Sequence, residues 1–332
     1  MNTILQTFHT PMRSNVLFLF CLIACSLSAQ INIGSSQMPI GSDPGKWRPG
    51  QLEALRRSTT LVFLRPSEAS QVEAVQAKLN QIWTISKIEV HTSDRRKEAV
   101  DAHPGEALSF LELHSNVIGV DHVPYYYYAY IQLQMDGGTD KKGRSIVDTY
   151  ARVELHPSAH TLNEGIIHYN DGLDLYAQAQ LDNFTPGLLV NYAKYINDQL
   201  EKGASRNLYS TFKNEGAMEA LRNSTLYVTD NVALEFGWVK KTEAPVADPK
   251  ALFAKYPYRY ELISSADLDH KLMTETEPFY YMVYVRSSLE KYIAIYKSDT
   301  GEMIYADYDA KRLGSQNLEP NDMAKIAALI RD

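Results

Sequence analysis

Gly50-Gln51-Leu52-Glu53-Ala54-Leu55-Arg56-Arg57-Ser58-Thr59 returns, with three changes, as Gly216-Ala217-Met218-Glu219-Ala220-Leu221-Arg222-Asn223-Ser224-Thr225. Recurrence of a ten-residue string so far along one chain is the mark of a repeated structural unit. The elements that follow each copy run in the same order. After the first, Leu61-Val62-Phe63-Leu64 has the continuous apolar character of a buried strand. Pro66-Ser67-Glu68 opens a helix on which Val72, Val75, Leu79 and Ile82 recur at helical spacing. A strand over 83–91, a short polar helix opened by Ser93-Asp94, and strands over 108–113 and 125–135 come next. Asp136-Gly137-Gly138 then turns the chain into a returning strand over 145–155.

The second copy leads into a strand over 225–228, a divergent stretch, a short helix near Pro249 to Ala254 and a strand over 258–263. Ser264-Ser265-Ala266-Asp267 caps another short helix, and strands follow over 279–285, 292–296 and 303–308, the last two joined across Asp299-Thr300-Gly301. The pattern predicts an α+β fold made of two tandem copies of a β-α-β-α-β-β-β module with mixed sheets, at 46–156 and 204–310. A connector over 157–203 carries an amphipathic helix at 185–203, where Leu188, Leu189, Tyr192, Ala193, Ile196 and Leu200 form one stripe that ends at Gly203. That stripe is expected to pack between the modules and make them one rigid body. Residues 311–332 hold a final helix, capped by Asn321, with Met323, Ile326, Ala327 and Ile330 on one face.

The start of the chain reads as an address for export. Val16 to Ala24 is apolar but too short to remain as a membrane span, Arg13 flanks it, and Ser26-Leu27-Ser28-Ala29 offers a small-residue cleavage site before Gln30. Residues 1–29 are therefore expected to be a signal peptide, and Gly-, Ser- and Pro-containing 30–45 a flexible lead-in. Met12 is an alternative start that gives the leader more usual proportions. Leu22-Ile23-Ala24-Cys25 is a competing lipobox, which would leave a lipid anchor on Cys25. Either way the expected destination is the periplasm or the cell exterior. Both cysteines, Cys21 and Cys25, lie within this leader, so cleavage after Ala29 leaves no thiol for disulfides, nucleophiles or metal sites.

The net charge of −7 becomes one unit more negative when Arg13 leaves with the signal, and no basic cluster interleaved with aromatics appears. Nucleic acid is not an expected partner. No second apolar run is long enough to span a membrane. Gly41 to Trp47 lacks the spacing and the closing Ser or Thr of a phosphate loop, and no dinucleotide fingerprint or nucleophile elbow occurs, so no cofactor is expected. His156, His160, Glu164 and His168 have the spacing of metal ligands on a helix, but Pro157, Gly165 and Asn170-Asp171-Gly172 point to irregular chain with exposed histidines, and no metal is assigned. His114 and Asp121-His122 read as polar residues of an exposed loop rather than as a general base with its orienting acid. Asp136, Asp140 and Lys141-Lys142 read as a charged hairpin tip without calcium-loop spacing.

The aromatic content supplies the candidate site. Tyr125, Tyr126, Tyr127 and Tyr128 must alternate between the two faces of a strand, so one pair is free to line a contact surface while the other packs. Together with Phe279, Tyr280 and Tyr281 they form the proposed binding surface, at or near the seam between modules, for an envelope protein or a glycan. The expected function is that of an exported, non-catalytic binding or envelope-associated protein. The alternative is a carboxylate-based extracytoplasmic hydrolase whose two acids, of which Glu112 and Asp121 are examples, are paired only by folding.

Overall fold

Both copies of the repeated string fold as a helical turn that delivers the chain into a buried strand. A computed structural model of the protein describes residues 30–34, 47–120, 123–139, 141–169, 172–207, 211–237, 240–287, 290–310 and 316–330. The expected signal peptide over 1–29 with Cys25, most of the expected lead-in, Asp121, His122 and Asp140 lie outside the described residues.

The first half begins with β1 (Ile31–Ile33), followed by α1 (Gln51–Arg56) and β2 (Thr59–Leu64). A 3₁₀ turn over Pro66–Gln71 runs into α2 (Val72–Ile82), then β3 (Lys87–Thr92) and α3 (Arg96–Asp101). Three long strands complete the sheet: β4 (Leu108–Val120), β5 (Val123–Thr139) and β6 (Ser145–Glu154). The connector holds α4 (Ala159–Ile167) and α5 (Pro186–Glu201).

The second half repeats the plan with β7 (Phe212–Lys213), α6 (Glu215–Met218) continued as a 3₁₀ turn over Glu219–Arg222, and β8 (Leu226–Thr229). Where the first half has α2, the second has 3₁₀ turns and a small hairpin, β9 (Leu234–Gly237) with β10 (Thr242–Pro245). After β11 (Tyr260–Ile263) and α7 (Ser265–Thr274) come β12 (Tyr280–Arg286), β13 (Glu290–Lys297), β14 (Met303–Ala310) and α8 (Pro320–Ala328).

The strands form two six-stranded mixed sheets, β1-β6-β5-β4-β2-β3 and β7-β14-β13-β12-β8-β11, in the same order. In each, the strand after the repeated string runs parallel to both of its neighbours, and the remaining pairs are antiparallel. The registers coincide when the two strings are aligned. Leu61 faces Glu89 and Phe110, as its counterpart Tyr227 faces Glu261 and Tyr281. The match continues outward, from Glu112–Gln132–Arg152–Asn32 in the first sheet to Val283–Ala294–Ala306–Phe212 in the second.

Four local expectations need correction. Gln30 to Gly34 is not a loose lead-in: β1 is the buried first strand of sheet one, paired to β6 because Ile31 and Ile33 can be shut inside on the sheet edge. Residues 159–167 are helical rather than irregular, with the Ser158 hydroxyl accepting from the Thr161 N–H as an N-cap. Gly165 is tolerated within that helix because Tyr127 of β5 packs so closely that an added Cβ would stand 2.3 Å from its ring. The α8 cap is Glu319, reciprocated by Asp322, with Pro320 at the first helical position, instead of Asn321. Finally, α5 buries not a single stripe but nearly every side, its Asn191 and Asn197 included, because it lies between the two sheets.

The burial pattern explains that placement. One large core joins the Val62, Leu111, Leu113, Ile131 and Leu133 face of sheet one to α2 and α5, and continues into the Tyr281, Val283, Val285, Tyr292 and Tyr296 face of sheet two. The other face of sheet two, with Val228, Met282, Ile293 and Ile295, forms a second core beneath α8. Among the described residues, the other face of sheet one has a small apolar cluster, Leu61, Phe63 and Ala99, with Val100, Leu108, Phe110 and Tyr176 partly buried against it. Docking of the halves is tight: Gly301, at φ +67° in the β13–β14 turn, would bring any Cβ within 2.8 Å of the Asn191 carbonyl on α5.

Candidate functional site

The face of sheet one that lacks a large apolar cover carries a strip of polar and aromatic side chains. Strand alternation places Phe110, Glu112 and His114 of β4 on it, opposite Gln134, Gln132 and Tyr130 of β5, with Arg152 and Glu154 of β6 beyond. At one end Arg96 of α3 donates from Nε to Glu112 at 2.9 Å, and its guanidinium lies 4.8 Å over the Phe110 ring. Gln134 also donates to Glu112, at 3.4 Å. In the middle the His114 and Tyr130 rings stack at 5.9 Å, and the Arg152 guanidinium lies 3.7 Å from the centroid of the same Tyr130 ring. Burial lowers the His114 pKa, Glu112 opposes that shift, and Arg96 and Arg152 add to it. Phe110, His114, Tyr130 and Gln134 are half-buried, so their outer edges meet solvent.

The strip runs inward to a closed polar seam between the halves. Arg152 donates from Nε to Glu154 at 2.5 Å, and both side chains are almost fully buried. Burial raises the Glu154 pKa against the pull of Arg152, and among the described residues its Oε2 finds no hydrogen-bond donor. From the second half, Glu290 at the start of β13 accepts from Tyr292 at 3.0 Å, Ser287 at 3.3 Å and Tyr308 at 3.4 Å. Burial, reinforced by repulsion from Glu154, pushes the Glu290 carboxyl up to about 7. Folding therefore brings together two carboxyls that lie far apart in the chain.

A neighbouring group of charges closes the other end of the seam. His156 is buried, and Nδ1 lies 3.1 Å from the Tyr284 carbonyl and 3.2 Å from the Asn231 amide. Its Nε2 is 3.8 Å from Asp182. Burial, aided by Arg286, holds the His156 pKa well below the imidazole range, so the ring is neutral. Burial also lifts Asp182 to about 6, with a further push from Glu243. Arg286 is fully buried, pairs with Glu243 and lies 4.5 Å over the Phe236 ring.

The aromatic residues singled out from sequence do not form one surface. Tyr127 packs into the large core and Tyr128 is equally buried on the opposite face, beside the Glu154–Glu290 seam. Tyr126 is half-buried, and the side chain of Tyr125 lies outside what is described. Phe279, Tyr280 and Tyr281 are buried as well, Phe279 against Tyr227 at 5.6 Å and Tyr281 stacked on Tyr296 at 5.6 Å. Alternation was the right rule, but it assumes that one face of the strand is open. At Tyr127 and Tyr128 both are covered.

The histidines flagged for metal do not converge either. His160 and His168 are exposed on and just after α4, His168 lies 3.3 Å from Glu164, and His156 is committed to the seam. No group of three metal-ligating side chains occurs among the described residues. Glu112 sits on the strip rather than at a strand end. Sequence reasoning missed Glu154 and Glu290. Their signal is register: Glu154 lies between Val153 and Leu155 at the end of β6, and Glu290 shares its face of β13 with Tyr292. No protein-family model, curated protein or solved structure matches the chain, so the site rests on its own geometry.

Proposed function

We propose that the protein is an exported, non-catalytic binding protein of the cell envelope and that its ligand is a glycan chain lying along the polar strip of sheet one. What supports this is the contrast between equivalent positions: Glu112, Gln132 and Arg152 stand where sheet two has Val283, Ala294 and Ala306. Polar side chains kept in register beside half-exposed rings suit a sugar, whose C–H face stacks on aromatics while its hydroxyls donate to a carboxylate such as Glu112 and exchange hydrogen bonds with an amide such as the half-exposed Gln134. The apolar run before Ala29 and the small-residue cleavage site support export. No helix among the described residues is long and apolar enough to cross a membrane.

The test uses the full chain expressed in bacteria. Edman sequencing of the exported product should begin at Gln30; an uncleaved cytoplasmic product would sink the export half. The mature protein should be retained by isolated envelope polysaccharide. Tyr130→Ala and Gln134→Ala should each weaken retention at least tenfold while the melting temperature stays within a few degrees. Retention indifferent to both substitutions would remove the strip as the site.

One observation favours a second reading, a carboxylate hydrolase: Glu154 and Glu290 converge with raised pKa values, as an acid and its partner do in glycoside hydrolysis. Against it, the two carboxyls are 1% and 4% exposed. Release of reducing sugar that disappears in Glu290→Gln would establish the hydrolase and displace the binding reading.

A further inference from the structure

Where α5 ends and the chain crosses into the second half, a cleft of about 440 Å³ opens between Tyr195, Asp198, Gln199 and Lys202 of α5, Arg206 and Phe212 of the crossing segment, and the β13–β14 turn. That volume lies in the range of small-molecule sites. Arg206 is set in its wall with its backbone paired to Ile33 of β1, which fixes the position of the residue. The guanidinium lies between two rings, 4.4 Å from the centroid of Phe212 and 5.8 Å from that of Tyr195. Among the described residues no carboxylate pairs with it and no hydrogen bond is donated from its side chain, and Nη1 is shut from solvent without an acceptor.

The other charges on the wall are already engaged. Asp198 accepts from Lys202 at 2.7 Å and from Gln199 at 2.9 Å, and Glu302 accepts from Asn214 at 3.0 Å. Arg206 is thus a pre-positioned cation, partly desolvated and without a counter-charge, beside a cavity with an apolar side formed by Tyr195, Phe212 and Met303. A guanidinium in this state calls for a planar bidentate oxyanion. Asp198 and Glu302 nearby make a dianion costly and a single negative charge acceptable.

We infer that this cleft binds a small monoanionic carboxylate with an apolar body, anchored on Arg206. The inference is independent of the glycan strip, which lies on a different face. The probes are 3-phenylpropionate, its neutral amide and inorganic phosphate, titrated into the isotopically labelled mature protein with backbone amides followed by NMR. The acid should shift the Gln199 and Thr300 amides saturably. The neutral amide should bind at least tenfold more weakly, and phosphate should fail to displace the acid. Arg206→Lys, which keeps the charge but loses the fork, should weaken binding about tenfold, and Arg206→Ala should abolish it. Should Arg206→Ala not fold, Arg206→Lys carries the test, because a merely structural arginine would not discriminate acid from amide. Equal affinity for acid and amide, competition by phosphate, or unchanged affinity in Arg206→Lys would each overturn the inference. Retention of envelope polysaccharide by the same variants, measured in parallel, separates failure of this site from failure of the strip.

Discussion

The two sheets share strand order, direction and register, yet their equivalent faces have opposite fates. In sheet one the face with Phe110, Glu112 and His114 stays partly open and polar. In sheet two the matching face, with Tyr281, Val283 and Val285, is sealed into the large core against α5. The reciprocal faces also swap: Leu55 and Val62 of the first half lie in the shared core, while their counterparts Leu221 and Val228 lie in the outer core beneath α8. One plan thus serves in two environments because each half carries a helix after its last strand, and the second half is laid with its back on the first.

The largest expected effect comes from exchanging the faces. Val283→Glu places an unpaired carboxylate in the shared core and should cost more than about 4 kcal/mol or prevent folding. Glu112→Val leaves Arg96, about half exposed, free to hydrate, and should cost no more than about 1 kcal/mol. Urea unfolding of both variants checks this, and similar losses would break the contrast between the faces.

A somewhat smaller effect tests the equivalence itself. Leu55 and Leu221 are the same position of the repeated string, and both are fully buried. Leu55→Ala and Leu221→Ala should each cost about 2–5 kcal/mol, with the difference between them reporting how far the two cores relax. A near-silent result at either position would separate the copies.

The smallest effect concerns the seam. Because the Glu290 carboxyl titrates near 7 in the folded protein, above its value of about 4.3 in an unfolded chain, the folded state holds the proton more tightly. Its stabilising contribution is full below the unfolded pKa and is lost as pH rises through 7. Asp182, raised to about 6, acts in the same direction, whereas neutral buried His156 favours folding at higher pH and loses its contribution on acidification. Glu290→Gln removes one of these titrations, so its stability relative to the native chain should rise by about 2–3 kcal/mol between pH 5 and pH 8. Parallel unfolding curves at both pH values, with no change in the difference, would show that Glu290 does not hold its proton in the fold.

Much of the architecture was legible along the chain. The repeated string, the apolar runs after it, the Ser264 cap and the Met323-Ile326-Ala327-Ile330 stripe all reappear in elements near the expected bounds. These are local signals, set by backbone propensity and by periodicity within one element. The site was less legible. The aromatic strands attracted attention by composition, but composition does not reveal whether a second layer covers a face, and Tyr127, Tyr128 and Tyr281 are all enclosed. β1 was missed because a three-residue strand has too short an alternation to stand out from a Gly- and Ser-containing segment.

By itself, the sequence determined the apolar run over 16–24, most of the order of helices and strands and which residues of each strand share a face, since these depend on neighbours a few positions away. Only the tertiary structure decided that Glu154 meets Glu290, that Arg206 stands between Tyr195 and Phe212 without an anionic partner among the described residues, and that α5 is buried on nearly every side. Those outcomes depend on how one sheet docks on the other. Docking is fixed by the fit of two whole surfaces, a property that no single stretch of the chain contains.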